Sequence, residues 1–199
     1  MKLLFATNNP GKLRELRELV GSLFEVVSLR EMPHLPEVHE DETTFEGNAR
    51  KKALAYARAS GLPSLADDSG LCVDALGGRP GVNSARYAPG TDSQRFAKLL
   101  EEMRGVPEAQ RNAEFRCALC LALPDGMHVI ETGRCTGRIG MTPRGQNGFG
   151  YDPIFVLPKQ GRTMAELTSE EKSQVSHRGE AFRRMRPHLV ALADGKPVR

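Results

Sequence analysis

The stretch KLLFATNNPGKLRELRELV, residues 2–20, decides how the fold begins. Residues 2–7 are a short apolar run typical of a buried strand, and residues 12–20 repeat leucine at helical spacing. The residues between them, 8–11, are Asn-Asn-Pro-Gly, a composition that favours a tight loop. We therefore expect the chain to open with a strand, a loop and a helix.

The same spacing rules extend this pattern along the chain. Strands are predicted near residues 24–28, 64–66, 72–75, 113–123 and 128–136, and helices near residues 44–60, 92–103 and from 176 onward. Pro-Asp-Gly at 124–126 is a hairpin signal between two of the strands. In the last helix, Pro187 predicts either a kink or a division into two helices. The chain thus combines α/β units with an antiparallel pair.

Composition limits the class of protein. The chain has 199 residues, and its 39% hydrophobic residues suffice for one globular domain over residues 1–199. A formal net charge of +3 is too close to balance to predict a protein that binds a nucleic acid polymer. The first apolar run is too short for a signal peptide or a membrane span, so we expect a cytoplasmic protein without membrane attachment.

The four cysteines are expected to be reduced packing residues. Cys117 and Cys120 have the two-residue spacer of a metal or redox motif. Their predicted strand, however, sends them to opposite faces of a sheet. Together with Cys72 and Cys135 they are therefore interpreted as reduced packing residues of a cytosolic protein.

Charge is unevenly distributed along the chain. Acidic residues concentrate at Glu37, Glu40, Asp41, Glu42 and Glu46 and again at Asp67, Asp68 and Asp74, whereas basic residues concentrate at Lys172, Arg178, Arg183, Arg184 and Arg186. Each cluster taken alone is consistent with a solvated face. A fold that joined them would offer the cation-binding and anion-binding walls that a metal-chelated polyphosphate requires.

Two adjacent acids, Asp67 and Asp68, follow an apolar run in the segment ADDSGL, residues 66–71. Neighbouring buried carboxylates repel, so a proton, a cation or a metal must neutralise at least one of them. Strand alternation would send the two side chains to opposite faces. The pair could hold a divalent cation and activate water, or it could be a solvated turn.

Three further segments could bind a ligand. The loop ending at Lys12 precedes a helix, where free N–H groups favour an anion, although Asn and Gly also occur in such turns for steric reasons. Phe149 and Tyr151 lie among glycines, where rings can stack on a base or close the edge of a core. His177 and Arg178 follow Lys172 closely and resemble a docking site.

In combination, the motifs resemble the inosine/xanthosine triphosphate pyrophosphatase family. They occur in the family's order over nearly the whole chain: TNNPGK, TFEGNA, LADDSGL, GGRPGVNSARY, FGYDP and AELTSEEKSQVSHRGEA. The resemblance implies an α/β fold with a long mixed sheet and flanking helices, forming two lobes around a central cleft, and a homodimer. It also implies Mg²⁺-dependent hydrolysis of inosine, deoxyinosine and xanthosine triphosphates to the monophosphate and pyrophosphate.

The resemblance also implies roles for individual residues. Asp68 matches the family's general base, and Asp68 and Glu40 match its Mg²⁺ ligands. Gly47 occupies a position at which family members often have Glu. Phe149 is implied to stack on the purine. The implied substrate-binding residues are Thr7, Asn8, Asn9, Pro10, Gly11, Lys12, Ser69, Phe149, Gly150, Tyr151, Asp152, Lys172, His177 and Arg178. We further hypothesise that His177 and Arg178 donate hydrogen bonds to the purine 6-oxo group.

Two other functions remain open at this point. One is a pyrophosphatase for other modified nucleotides, such as methylated pyrimidine triphosphates, on a similar architecture. The other is a non-catalytic nucleotide sensor, in which Asp68 would serve only the metal or the fold. A substrate panel separates the first from the implied activity, and turnover separates the second.

Overall fold

The computed structural model, which describes residues 1–198, contains one seven-stranded mixed sheet in the order β2-β1-β3-β4-β5-β6-β7. β1 is parallel to β2 and β3, whereas β6 is antiparallel to β5 and β7. The strands are β1 Lys2–Phe5, β2 Glu25–Ser28, β3 Ser64–Val73, β4 Asn112–Ala122, β5 His128–Ile139, β6 Phe155–Leu157 and β7 Arg162–Thr163. The predicted α/β class with a long mixed sheet is confirmed.

Five α-helices accompany the sheet. They are α1 Pro10–Val20, α2 Phe45–Ser60, α3 Asp92–Glu102, α4 Ser169–Val175 and α5 His177–Ala193. The predicted helices correspond to α1, α2, α3 and α5. Pro187 lies inside α5, which continues through it as a single helix, so the division into two helices is wrong. Within residues 1–198, no helix combines the length and apolar character needed to cross a membrane.

The chain divides into two compact units. The first comprises Met1–Asp68, Cys117–Gly133 and Arg178–Arg199, and the second comprises Ser69–Arg116 and Arg134–His177. Each unit has a hydrophobic core of its own. The expected two lobes around a central cleft remain a prediction.

In the first unit, α1 and α5 contribute apolar side chains to a core shared with β1, β3 and β4. Four residues of α5 that recur at helical spacing, Phe182, Met185, Leu189 and Leu192, are buried in this core. So does Cys117, which shares its strand face with Leu119 and Leu121. All four cysteines carry free thiols, as expected.

Hydrogen bonds at the ends of α1 and α2 fix where these helices begin. The side chain of Asn9 accepts hydrogen bonds from the N–H groups of Gly11 and Lys12 at 2.8 and 3.1 Å. Thr44 accepts one from the N–H of Gly47 at 3.0 Å. These caps place the start of α1 at Pro10, within the predicted anion-binding loop, and the start of α2 at Phe45, next to the acidic cluster.

Two expectations about local structure require correction. The strands predicted at 64–66 and 72–75 are one continuous strand, β3, so the alternative of a solvated turn at the two acids is wrong. Lys12 and Arg178 bind the carboxylate of Asp67, and the amide of Asn48 binds that of Asp68. Both acids can therefore lie inside a continuous strand. The second correction is α4, which was not predicted although Thr168 and Glu171 form a capping box at its start.

Candidate active site

Asp67, in β3, is completely buried in the first unit and carries two cations. Its Oδ2 accepts a hydrogen bond from Nε of Arg178 at 2.8 Å, and its Oδ1 pairs with the ammonium of Lys12. The thiol of Cys117 donates to the same Oδ2 at 3.3 Å. Burial raises the pKa of Asp67. The charges of Arg178 and Lys12 together outweigh this effect and hold the pKa of Asp67 well below its ordinary value. The two cations therefore stabilise the carboxylate form of Asp67.

Asp68 has different surroundings. It is 4% exposed, and its Oδ2 accepts a hydrogen bond from Nδ2 of Asn48 at 3.0 Å. Burial raises the pKa of Asp68 to about 6, against the opposing effect of the ammonium groups of Lys52 and Lys12. A carboxyl group with this pKa is suited to accept a proton near neutral pH.

Two polar residues on the buried face of α2 support Asp68, and the sequence analysis did not assign either of them a role. Asn48 and Lys52 are one helical turn apart, and both are buried. Nζ of Lys52 donates to the backbone oxygen of Asp67 at 2.8 Å and pairs with the carboxylate of Glu40. The signal that could have identified them is their position beside Ala49 and Ala53, where an apolar residue is expected.

The residues around Asp68 fit a hard divalent cation that a substrate brings with it. Glu40 lies close enough to contribute to the raised pKa of Asp68, so two carboxylates are present in this part of the first unit. Within residues 1–198, His, Cys, Asp and Glu side chains form no group of three or more that could hold a metal. Mg²⁺ is commonly bound by one or two carboxylates together with substrate phosphates, which is the donor set available here.

The predicted anion-binding loop, residues 7–12, overlaps the start of α1, because Pro10, Gly11 and Lys12 are already helical. Oγ1 of Thr7 accepts a hydrogen bond from the N–H of Asn9 at 3.1 Å, and residues 8–10 are exposed. The residues at the start of α1 are thus exposed to solvent, and Lys12 follows them in the first turn of the helix. Lys12 itself is held by Asp67, and the charge of Asp67 raises the pKa of Lys12 although burial lowers it.

Arg178, at the beginning of α5, is buried and bound by carboxylates. Its Nη1 donates to Oε2 of Glu15 at 2.6 Å, in addition to the bond from its Nε to Asp67. The fold thus brings Lys12, Asp68, Glu40 and Arg178 together within the first unit. The hypothesis that Arg178 reads the purine base remains a prediction.

In the second unit, Phe149, Asp152 and Lys172 form a compact group. Asp152 is buried, and its Oδ2 accepts hydrogen bonds from the N–H of Phe149 at 2.9 Å and from Nζ of Lys172 at 2.5 Å. Nζ of Lys172 also lies 4.8 Å from the centre of the Phe149 ring. A half-buried ring held in this way offers a face on which a flat base could stack.

Tyr151 differs from Phe149. Its ring belongs to the core of the second unit, and its hydroxyl donates to the backbone oxygen of Ser84 at 2.9 Å. The N–H of Gly150 donates to Oδ2 of Asp92 at 2.7 Å. The side chain of Tyr151 therefore closes the core edge, and any part this residue has in binding a ligand would pass through its backbone.

The last two predicted residues of the second unit are Ser69 and His177. Ser69 follows Asp68 in β3 and is half-buried. His177 is buried, and its ring stacks on that of Phe115 with 4.8 Å between ring centres and an interplanar angle of 12°. Packing against Phe115 is a structural role for this imidazole, and its proposed contact with a base remains a prediction.

Comparison with known proteins agrees with these features. The sequence profile of the Ham1 family matches residues 3–188. A dITP/XTP pyrophosphatase of Geobacter sulfurreducens is 50% identical over 191 residues, covering 94% of this chain and 96% of the relative. One from Anaeromyxobacter sp. (strain Fw109-5) is 49% identical over 226 residues, covering 97% of this chain and 98% of the relative.

Solved structures give the same result. The HAM1 protein of Coxiella burnetii has a TM-score of 0.85 and 39% identity, covering 98% of this chain and 99% of that protein. The nucleoside-triphosphatase / dITP/XTP pyrophosphatase of Mycobacterium abscessus has a TM-score of 0.76 and 48% identity, covering 94% of this chain and all of that protein. The resemblance drawn from the motifs is thereby confirmed, and the chain belongs to the Ham1 family.

Proposed function

We propose that this chain is a Mg²⁺-dependent nucleoside-triphosphate pyrophosphatase. It would hydrolyse inosine, deoxyinosine and xanthosine triphosphates to the monophosphate and pyrophosphate, and so remove non-standard purines from the nucleotide pool. The observation that carries the proposal is Asp68, a buried carboxyl group whose pKa is raised to about 6 beside the lysines of α1 and α2. The names of the dITP/XTP pyrophosphatases to which the chain is similar support the same activity.

In the proposed reaction, Asp68 orients a water molecule and accepts its proton as the water attacks the phosphorus nearest the nucleoside. Asn48 holds the carboxylate through its 3.0 Å hydrogen bond, which fixes the oxygen that receives the proton. Lys12 and the loop at the start of α1 stabilise the negative charge that develops on the departing pyrophosphate. Each of these groups belongs to the first unit.

Asp68 and Glu40 would hold the Mg²⁺ ion, in keeping with the two carboxylates found there. When bound, the ion would neutralise charge on the triphosphate. Lys52 pairs with Glu40 and holds that acid close to α2.

We propose that the purine base is bound by Phe149 and by the residues that hold this ring. The purine would stack on Phe149, whose backbone and ring are held by Asp152 and Lys172. Donors directed at the 6-oxo group would reject adenine, because a 6-amino group leaves those donors unpaired. His177 and Arg178 remain the residues proposed to supply them.

Pyrophosphate release from deoxyinosine, xanthosine, guanosine and adenosine triphosphates tests the proposal. We expect rapid release from the first two with Mg²⁺ and none with a chelator. Preferential turnover of methylated pyrimidine triphosphates would favour the related pyrophosphatase. Binding of deoxyinosine triphosphate without turnover of any nucleotide would favour the sensor.

We propose that the enzyme acts in the cytoplasm, since its substrates would be nucleotides of the cellular pool. We also propose a homodimer, which is supported by the family resemblance of the motifs. Light scattering coupled to size-exclusion chromatography measures the mass directly, and a mass near 21.8 kDa would exclude the dimer.

A further inference from the structure

The proposed reaction uses Asp68 and leaves the neighbouring acid, Asp67, without a task. Asp67 is nevertheless the more deeply buried of the two, with no exposed surface. Burying a charge is costly unless the surroundings pair it closely. The contacts of Asp67 therefore indicate what it does.

Each carboxylate oxygen of Asp67 is bound to a different cation. Oδ1 pairs with the ammonium of Lys12, at the start of α1, and Oδ2 accepts from Nε of Arg178 at 2.8 Å, at the start of α5. The thiol of Cys117 adds a third donor, to Oδ2. These contacts engage both oxygens of Asp67 on its side of the sheet.

Charges alternate along the row Lys12, Asp67, Arg178 and Glu15. Nη1 of Arg178 reaches Oε2 of Glu15 at 2.6 Å, so the guanidinium lies between two carboxylates. Lys12 and Arg178 are close enough that the charge of Arg178 lowers the pKa of Lys12. Without Asp67, these two cations would repel each other in a buried site.

We infer that Asp67 is a positioning residue, which fixes the ammonium of Lys12 and the guanidinium of Arg178 in place and does not bind the metal. Two neighbouring acids in one strand would thus have separate tasks. Asp68 serves the reacting water, and Asp67 holds the cationic groups of Lys12 and Arg178 in place. The inference rests on the proposed function, because its kinetic readout is pyrophosphate release.

The kinetic test compares Asp67→Asn with Asp74→Asn, an exposed acid just beyond β3. We expect Asp67→Asn to lower kcat for deoxyinosine triphosphate by about 10- to 100-fold, because misplaced charge-stabilising groups cost mainly in the transition state. The Mg²⁺ concentration giving half-maximal rate should stay the same. Asp74→Asn should retain wild-type kinetics. An increase in the half-activating Mg²⁺ concentration with kcat retained would make Asp67 a metal ligand and overturn the inference.

A double-mutant cycle tests whether Asp67 acts through Lys12. In a Lys12→Ala background, Asp67→Asn should lower kcat by a smaller factor than in the wild type, because one of the two groups that it positions is already gone. Equal losses in the two backgrounds would show that Asp67 acts independently of Lys12 and would overturn the inference.

A measurement on the wild-type protein covers the case in which Asp67→Asn does not fold. Side-chain ammonium resonances in nitrogen-15 NMR are observed when hydrogen exchange is slow, as in a buried ion pair, and loss of a signal in Lys12→Arg assigns it. We expect a protected Lys12 ammonium in the wild type without nucleotide or Mg²⁺. A Lys12 ammonium that exchanges as fast as that of exposed Lys159 would overturn the inference, whether or not the protein hydrolyses nucleotides.

Discussion

Asp67 and Asp68 are adjacent in β3, yet their carboxylates bind partners from different helices. Asp67 accepts from Arg178 of α5 at 2.8 Å, and Asp68 accepts from Asn48 of α2 at 3.0 Å. Strand alternation sends the two side chains to opposite faces of the sheet, so the two carboxylates accept hydrogen bonds from different helices. The opposite shifts of their pKa values follow from this separation.

Replacing Asp68 by Asn should abolish turnover and stabilise the metal-free protein. The pKa of Asp68 rises from 3.8 to about 6 on folding, so the folded state binds the proton more tightly than the unfolded state. The contribution of Asp68 to the free energy of unfolding therefore falls as the pH rises from 3.8 to about 6, and it stays low at higher pH. This pKa shift corresponds to a change of at most about 3 kcal/mol in the free energy of unfolding.

Urea denaturation with a chelator, at pH 8 and at pH 4, measures this effect. Asp68→Asn should be more stable than the wild type at pH 8, and the difference should shrink towards pH 4, where Asp68 is protonated in the folded state. Equal stability at pH 8 would contradict the raised pKa. Substantial residual hydrolysis by Asp68→Asn would mean that another residue is the general base.

Addition of Mg²⁺ should raise the melting temperature of the wild type, since a ligand that binds only the folded state stabilises it. The increase should be greater with a non-hydrolysable nucleotide, which adds phosphate ligands. Asp68→Asn and Glu40→Gln should each reduce the shift. Differential scanning calorimetry provides the measurement, and an unchanged Mg²⁺ shift in both variants would place the metal elsewhere.

Replacing Arg178 by Ala should reduce the preference for deoxyinosine over adenosine triphosphate, if its guanidinium helps to read the 6-oxo group. The variant should also lose stability, by about 3–5 kcal/mol, because it leaves Asp67 and Glu15 with one cation fewer in a buried site. Arg186→Ala, an exposed position on the same helix, is the control. An unchanged ratio of kcat/KM values in a folded Arg178→Ala protein would exclude the base-reading role.

Two glycines beside Phe149 provide a matched pair of substitutions. Gly148 and Gly150 both have a positive φ, +74° and +63°, so Ala at either position costs about 1–2 kcal/mol of backbone strain. A Cβ at Gly148 would lie 2.0 Å from Oδ2 of Asp152, whereas a Cβ at Gly150 would meet nothing within 4 Å.

Gly148→Ala should therefore raise KM for deoxyinosine triphosphate more than Gly150→Ala does, because it alone displaces the carboxylate that holds Phe149 and Lys172. Steady-state kinetics and urea denaturation of both variants separate this effect from the shared strain. Equal KM values would mean that Asp152 does not organise the base-binding residues.

The sequence by itself determined α1, α2, α3 and α5, the approximate positions of the strands up to β5, and the principal motifs. The leucine spacing of α1 and the buried stripe of α5 have strong periodicity, and such local patterns predict secondary structure directly. The motif containing Asp68 was also recognisable, because adjacent acids after an apolar run are costly unless something neutralises them. The family resemblance depended on these motifs occurring in order.

Only the tertiary structure decided how the charged residues pair. Asp67 meets Arg178 across 111 positions of sequence, and no local pattern specifies a contact at that separation. The same holds for Asn48 and Lys52, whose sequence positions identify a helix face but not the acids that it meets. The continuity of β3 followed from these pairings, since a strand can run through two buried carboxylates only where distant groups neutralise them.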